Sequence, residues 1–267
     1  MPFTDLHSHI LPGCDDGADD DEEFLEMAGV AVRGGTALMV ATPHYDIECP
    51  DLELEEVPPA VGDHLQLLRS RDIPLELVPG IEVRINAGLF QLAKEGCALD
   101  RLTLGGKGRY ILVDLPLADL PLSTPDILFQ IQLCGLTPIL AHPERNRYLV
   151  EHPAVVRGLV ERGVEIQVNS GSLEGLYGKA AKRAARALLK EGASRLVASD
   201  AHKPRGRSPD LSGAAGIIRR QMGAEAARII LEINPGRVLA GGDLVDAAGK
   251  SPHRSGSARL LARRRSA

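Results

Sequence analysis

The chain contains 267 residues, 44% of them hydrophobic and 25% charged, with a formal net charge of -5. This length suits one large α/β domain or two small ones, and the ordinary composition excludes fibrous, coiled-coil and disordered classes. Residues 247–267 hold six basic and no acidic side chains, which leaves 25 basic and 36 acidic side chains, a net charge of -11, in residues 1–246. An acidic body with four phenylalanines, four tyrosines and no tryptophan argues against a nucleic-acid partner.

Seven short apolar runs with strand character alternate with helical stretches along residues 1–246. The predicted strands are Phe3–His7, Ala37–Thr42, Leu75–Ile81, Tyr110–Leu115, Thr137–Ala141, Glu165–Val168 and Arg195–Ser199. The predicted helices are Asp20–Arg33, Pro59–Arg71, Ala87–Lys94, Pro125–Cys134, Pro153–Arg162, Lys179–Lys190 and Pro209–Met222. Alternation of this kind indicates parallel strands with helical crossovers. Seven strands favour a distorted (β/α)7 TIM-like barrel in a single domain, residues 1–246, over an open doubly wound sheet.

The ends of the chain and its cysteines bear on where the protein works. The N-terminal sequence lacks the basic and apolar regions of a signal peptide, and no apolar run is long enough to span a bilayer. Four scattered cysteines without a CxxC pair are typical of reduced thiols, so we expect a cytoplasmic protein with no integral membrane segment. The basic segment 247–267 is predicted to be disordered, either as a dispensable end or as a tether to anionic membrane surfaces.

Ionisable side chains follow six of the seven predicted strands, at the carboxyl end of each. These side chains are His7 and His9, His44, Glu82, Asp114, His142 with Glu144, and Asp200 with His202. The C-terminal ends of the strands form the active-site face of a β/α barrel, so we expect these groups to meet there.

The residue types at these strand ends indicate a metal centre. His7 and His9 are two residues apart, as are Asp200 and His202, so an extended backbone points each pair in one direction. A single His-x-His is weak evidence, but imidazoles and carboxylates gathered without cysteine suit Mn, Fe or Zn rather than a structural zinc. One ion cannot use so many ligands, which predicts a cluster of two or three cations.

Two arginines lie close in sequence to these groups, and other phosphatase chemistry lacks its signature. Arg145 follows His142 by three residues and Arg207 follows His202 by five. A guanidinium suits bidentate capture of a phosphate, although an ion pair with a nearby carboxylate is the simpler alternative. No Cys-x5-Arg motif of the cysteine phosphatases is present, nor a GxSxG or complete GxxxxGK[ST] motif.

The motifs DLHSHILPGCDDGADD, ATPHYD, PGIEVRI, ILVDLP, AHPERNR, NSGSLEGLYGK and SDAH together resemble those of the polymerase-and-histidinol-phosphatase superfamily. Within it, the chain resembles the bacterial manganese-dependent protein-tyrosine phosphatases associated with capsule and exopolysaccharide synthesis. The resemblance extends from about Phe3 to Val238, and its most specific motifs are HSHILPGxDDG, AHPERNR and SGSLxGxxGK.

The resemblance implies a distorted (β/α)7 barrel with a trinuclear centre, Mn being the expected metal. The ligands it implies are His7, His9, Asp16, His44, Glu82, Asp114, His142, Asp200 and His202, with Glu82 bridging. Asp114 stands where the family usually has Glu, and its shorter side chain is expected to bind metal more weakly or through water. The implied partner is a phosphotyrosine protein, specifically a bacterial tyrosine kinase.

The predicted reaction is hydrolysis of a phosphate ester by a hydroxide that bridges two cations. Bound cations lower the pKa of water toward about 7, and Arg145 and Arg207 would stabilise the charge on the phosphate oxygens. A tyrosine phenolate, with a pKa of about 10, needs little help to leave. Two alternatives stay open: a small phosphomonoester such as histidinol phosphate as substrate, and a regulatory protein that binds a kinase without hydrolysis.

Overall fold

The computed structural model describes residues 2–96, 99–106 and 108–247. Its strands are β1 (Phe3–Ser8), β2 (Thr36–Ala41), β3 (His44–Tyr45), β4 (Glu76–Pro79), β5 (Glu82–Arg84), β6 (Tyr110–Asp114), β7 (Thr137–Ala141), β8 (Glu165–Asn169) and β9 (Leu196–Ala198). Its longer helices are α1 (Asp21–Arg33), α2 (Val57–Ser70), α3 (Ala87–Lys94), α4 (Thr124–Leu133), α6 (Pro153–Glu161), α8 (Gly178–Lys190) and α9 (Ser212–Met222). Shorter helices are α5 (Arg147–Glu151), α7 (Ser170–Glu174), α10 (Ala224–Arg228) and α11 (Asn234–Leu239), with a π-helical turn at Ile229–Ile233.

The strands form a parallel barrel. One sheet has the order β1-β2-β4 and the other the order β3-β5-β6-β7-β8-β9, and the pairs between these strands are all parallel. A parallel bridge between Ser8 and Ala201 joins β1 to the segment that follows β9. The predicted α/β barrel is therefore confirmed.

Two of the seven predicted strands continue, after a break, into a short strand that was not predicted. Residues 42–43 separate β2 from β3, and residues 80–81 separate β4 from β5. Pro43 has no N–H for the ladder, but its carbonyl accepts a hydrogen bond from the amide of Glu82 at 3.1 Å. The two halves of each strand thus stay in line, and nine short strands make seven strand positions.

The two faces of the strands bury different apolar clusters. Ile111, Val113 and Val197 pack in a large cluster together with the inner faces of the helices. The alternate residues Leu112 and Leu196 belong to a smaller cluster formed mainly by the strands themselves. This second cluster fills the barrel interior, and ionisable residues follow it at the C-terminal strand ends.

Helix α1 shows how local sequence positions an element against the barrel. The side chain of Asp20 caps its N-terminus by accepting a hydrogen bond from the amide of Glu23 at 2.9 Å. Three acidic residues in the first turn suit the positive end of the helix dipole. Its buried face is Phe24, Met27, Ala28 and Ala31, so the acidic run 19–23 serves as the solvated start of a helix.

The predicted helices are confirmed within a few residues, but α5, α7, α10 and α11 were not predicted. Of the basic segment 247–267, only Ala247 is among the described residues, so the predicted disorder lies outside them. Across the described ranges, no helix has both the length and the apolar character to span a membrane.

Candidate metal centre

The C-terminal ends of the strands bring eight of the nine predicted ligands into one cluster. His7 lies in β1, His44 in β3 and Glu82 in β5, whereas the others directly follow a strand or lie in a rim loop. The ligand atoms fall into three groups, within each of which they are no more than 4.8 Å apart: His9, Asp16, His44 and His202; His7, Glu82 and His142; and His7, His9 and Asp200. Each group holds at least three nitrogen or oxygen donors, which suits a cation cluster.

Glu82 lies between four imidazoles. Its Oε1 is 3.2 Å from His7 Nε2 and 3.3 Å from His142 Nε2. Its Oε2 is 2.8 Å from His44 Nδ1 and 3.3 Å from His9 Nε2. Each carboxylate oxygen therefore faces a different pair of histidines, as expected for a carboxylate that bridges two cations.

The buried polar atoms of this cluster fit a divalent cation. Glu82 is fully buried and its oxygens meet only imidazole nitrogens, without the geometry of a hydrogen bond, and Nε2 of the buried His202 also lacks a hydrogen bond of good geometry. A buried polar atom without a partner costs about 1–3 kcal/mol, and more for a charged group. Bound cations would satisfy these atoms, so the donor set present here fits the metals predicted from the sequence.

A second layer of side chains fixes the ring orientation of two histidines. His9 Nδ1 donates to Asp15 Oδ2 at 2.6 Å, which leaves Nε2 facing Glu82 and Asp200. His7 Nδ1 donates in the same way to Gln167 Oε1 at 3.0 Å. Partners of this kind orient metal-ligating imidazoles and raise their basicity.

Sequence reasoning missed both orienting residues. Asp15 was not among the predicted residues, although its Oδ2 also accepts the backbone amide of His44 at 2.9 Å. Gln167 lies 160 residues from His7, at a strand position where an apolar residue is usual. A buried glutamine near the end of a barrel strand is the one signal that could have indicated its role.

The backbone at the site adopts uncommon conformations. His142 and Asp200 have φ angles of 32° and 53°, in the left-handed region that non-glycine residues rarely adopt. In the loop after β1, a Cβ on Gly17 would lie 1.8 Å from the carbonyl oxygen of His9, so only glycine fits there. The chain thus accepts local strain where the predicted ligands converge.

Both predicted phosphate-binding arginines contact a predicted ligand. Arg145 Nη1 donates to Asp200 Oδ2 at 2.6 Å, and Arg207 Nη2 donates to Asp200 Oδ1 at 2.8 Å. Asn169 Nδ2 also donates to Asp200 Oδ2, at 2.7 Å. The Arg145 side chain is 13% exposed and that of Arg207 is 29% exposed. Both therefore lie at the border between the buried cluster and solvent.

Protons balance the charges of this cluster when no cation is present. Burial opposes the charge on His142, but Glu82 and other carboxylates raise its pKa to about 9. Burial also opposes ionisation of Glu82 and Asp200, while neighbouring imidazoles hold the pKa of each well below its ordinary range. His202 differs, since burial and the charge of His9 lower its pKa to about 3 and keep its ring neutral.

Two carboxylates at this rim lie outside the three groups. Asp114 Oδ1 is 3.7 Å from His142 Nε2, as expected for a side chain that is one methylene shorter than Glu. Glu144 is buried and accepts hydrogen bonds from the amide of Asn169 at 2.9 Å and from the Ser172 hydroxyl at 2.7 Å. Glu144 therefore fixes the start of α7, and Asp114 is the one predicted ligand outside the three groups.

Comparisons with known proteins show which family the chain resembles over most of its length. The chain is 36% identical over 231 residues to the tyrosine-protein phosphatase YwqE of Bacillus subtilis, covering 86% of this chain and 89% of the relative. It is 27% identical over 247 residues to the tyrosine-protein phosphatase CpsB of Streptococcus pneumoniae, covering 89% and 98%.

Solved structures show the same relation. A chain from the crystal structures of YwqE and CpsB, described as unique metal-dependent tyrosine phosphatases, matches with a TM-score of 0.84 and 33% identity and covers 94% of this chain and all of its own. The phosphotriesterase homology protein of Escherichia coli shares the fold at a TM-score of 0.56 and 12% identity. The family model for capsular polysaccharide synthesis proteins, CpsB/CapC, matches residues 3–240. The chain therefore belongs to the CpsB/CapC family.

Proposed function

We propose that this protein is a metal-dependent protein-tyrosine phosphatase with Mn as its native metal. The observation that carries the proposal is the buried Glu82 carboxylate, whose oxygens lie 2.8–3.3 Å from four imidazoles, beside two arginines at the rim. Relatives that match most of the chain are named tyrosine-protein phosphatases. A scaffold that only bound a partner would have no need of such a cluster.

Three sets of residues would hold the metals, together with Asp114 at the edge. One set is His9, Asp16, His44 and His202, the second is His7, Glu82 and His142, and the third is His7, His9 and Asp200. Bound there, the cations would supply a nucleophile at neutral pH by lowering the pKa of water and would neutralise charge on the phosphate. Mn suits sites of imidazole and carboxylate without thiolate, and Fe and Zn are the competing metals.

The arginines would bind the phosphate group. Each guanidinium has five N–H donors, so the contact with Asp200 leaves others that can reach phosphate oxygens. The positive charge of Arg145 and Arg207 would stabilise the negative charge that builds on those oxygens during hydrolysis.

The leaving group fits a reaction without a covalent enzyme intermediate. A tyrosine phenolate, with a pKa of about 10, departs with less protonation than an alkoxide. Cys14, a cysteine in the loop after β1, is a poor nucleophile because burial and the nearby Asp15 carboxylate raise its pKa.

The proposed substrate is a phosphotyrosine protein, specifically a bacterial tyrosine kinase that regulates capsule or exopolysaccharide synthesis. The description of the family and the names of its relatives support this choice. The proposed compartment is the cytoplasm, in keeping with Cys14 and Cys49, which form no disulfide in the described part of the chain.

Turnover of a phosphotyrosine peptide, with and without Mn, tests the proposal. We expect hydrolysis that EDTA abolishes and Mn restores, with kcat/KM for the peptide above that for histidinol phosphate. His142→Ala removes a ligand of the second set and should lose most activity, whereas His152→Ala, an exposed histidine beside α5, should not. Full activity after exhaustive chelation would refute the metal dependence. Preference for histidinol phosphate would assign the small-ester alternative, and no turnover of any ester would indicate a binding protein.

A further inference from the structure

Tyr177 lies directly against one of the proposed phosphate-binding residues. It occupies the turn between α7 and α8, and the guanidinium carbon of Arg145 lies 4.2 Å from the centroid of its ring. A guanidinium at this distance over an aromatic face is attracted by the ring, more strongly where water is excluded. The ring therefore supports a charged group at the edge of the metal centre.

Two different groups fix Arg145. Asp200 accepts a hydrogen bond from Nη1 at 2.6 Å, which fixes one end of the guanidinium, and the Tyr177 ring covers one face. A planar guanidinium held at one end and on one face has little freedom to rotate. Its remaining N–H donors then point in directions set before any substrate arrives, which lowers the entropy cost of binding.

The turn between α7 and α8 is closely packed around the ring. A Cβ on Gly171 would lie 3.2 Å from Tyr177 Cε2 and 3.1 Å from Leu176 Cδ2. The amide of Leu176 donates to the carbonyl of Gly171 at 2.8 Å. The tyrosine is thus held by its own turn, independently of Arg145.

The hydroxyl of Tyr177 contributes less than the ring. It is buried and lies near the Arg207 side chain, without the geometry of a hydrogen bond. Burial and the nearby Asp200 carboxylate raise its pKa, so it stays protonated. The aromatic face, whose centroid is 4.2 Å from the guanidinium carbon of Arg145, is the part of this side chain that contacts Arg145.

We propose that Tyr177 is a positioning residue whose ring holds the Arg145 guanidinium in the orientation that binds the phosphate of the substrate. The inference rests on the proposed function in one respect, namely that Arg145 binds phosphate. Tyr177 itself need not touch the substrate.

Two kinds of replacement separate the ring from the hydroxyl. Tyr177→Met and Tyr177→Leu replace the aromatic ring by aliphatic side chains of two different shapes, and Tyr177→Phe keeps the ring. Tyr148→Leu is the matched control, since Tyr148 stacks on His152 rather than on a rim arginine. Circular dichroism and metal content establish that each variant is folded and loaded, and the second ring-free variant keeps the test available if the first fails to fold.

The readouts are the Kd of inorganic phosphate for the Mn-loaded protein, by calorimetry, and kcat and KM for a phosphotyrosine peptide. Loss of the ring should weaken phosphate binding and kcat/KM by about five- to tenfold. Tyr177→Phe and Tyr148→Leu should stay within about twofold of the unaltered protein. In an Arg145→Gln background, loss of the ring should have no further effect, because the two side chains act as one unit.

Three results would overturn the inference: unchanged phosphate binding in both variants without the ring, a Tyr177→Phe variant as impaired as they are, or additive losses with Arg145→Gln. The phosphate titration does not require turnover. A protein that binds phosphate through Tyr177 and Arg145 without hydrolysing the peptide would contradict the proposed function alone.

Discussion

Replacing Asp15 by asparagine tests whether this buried carboxylate organises the metal centre. Asp15 accepts three hydrogen bonds, from His9 Nδ1 at 2.6 Å, from the amide of His44 at 2.9 Å and from the amide of Gly17 at 2.9 Å. Asparagine has the same shape but only one acceptor oxygen. Whichever way its amide points, at least one of the three donors then faces an NH2 group.

The expected cost follows from these contacts. Loss of the carboxylate that orients a ligating imidazole lowers metal affinity by about 10–100-fold, or roughly 1.4–2.7 kcal/mol. The fold should also lose about 1.5–3 kcal/mol, because the hydrogen bond from His9 is charge-assisted. Burial opposes the Asp15 charge, but His9 and two backbone amides hold the pKa of Asp15 below its ordinary value of 3.8. The stability it contributes is therefore present above about pH 3.8 and is lost as the pH falls further.

The assay is competition for Mn between the protein and a chromophoric chelator at pH 7, with thermal unfolding measured in parallel. Asp19→Asn is the matched control, since it removes the same charge from an exposed residue that pairs only with Lys203 among the described contacts. An Asp15→Asn variant that binds Mn as tightly as Asp19→Asn would refute the reasoning that Asp15 orients His9.

Three other perturbations have expected outcomes. Asp114→Glu should retain metal severalfold better through dialysis, because the added methylene lets the carboxylate approach His142 more closely than 3.7 Å; unchanged metal-to-protein ratios would contradict this. Cys14→Ser should keep kcat within about twofold, since burial and then Asp15 raise the pKa of the thiol; a loss above about tenfold at unchanged metal content would favour a cysteine nucleophile. Without metal, the melting temperature should fall as the pH rises from 6.5 to 9, because His142, whose pKa is raised to about 9, holds its proton only in the folded chain over this range. Metal-loaded protein should lack that fall, and metal affinity should rise over the same range as proton competition weakens.

The strand ends could be predicted because the signal is local and repeated. An apolar run followed by His, Asp or Glu identifies both the strand and the face where it ends, and the closure of the barrel brings these ends together. Eight of the nine candidates meet within three groups, although His7 and Asp200 are 193 positions apart in the sequence. The exception, Asp114, is the position where the sequence departs from the family pattern.

The supporting residues could not be predicted, because their roles depend on contacts between distant segments. Gln167 orients His7 although 160 positions separate them in the sequence. Tyr177, which follows α7, contacts Arg145, which lies in the turn after β7. The short strands β3 and β5, which follow the breaks at residues 42–43 and 80–81, were also not predicted, since apolar runs do not reveal where a ladder resumes. The sequence offered an ion pair and a phosphate contact as alternatives for the two arginines. Both arginines pair with Asp200, and each keeps further N–H donors for a phosphate.

The net charge of the sequence is negative, but the local charge at the proposed phosphate site is positive. Residues 1–246 have a net charge of -11, and several of these carboxylates converge on the centre. Glu82 and Asp200 stay ionised there because neighbouring imidazoles take up protons in exchange, and cations would replace those protons on binding. Protonated imidazoles, or cations once bound, neutralise the charge of these carboxylates. Arg145 and Arg207 remain positive at the border with solvent. A phosphate dianion would therefore approach two positive arginines, although the protein as a whole is acidic. The carboxylate of Asp200 holds both arginines at that position.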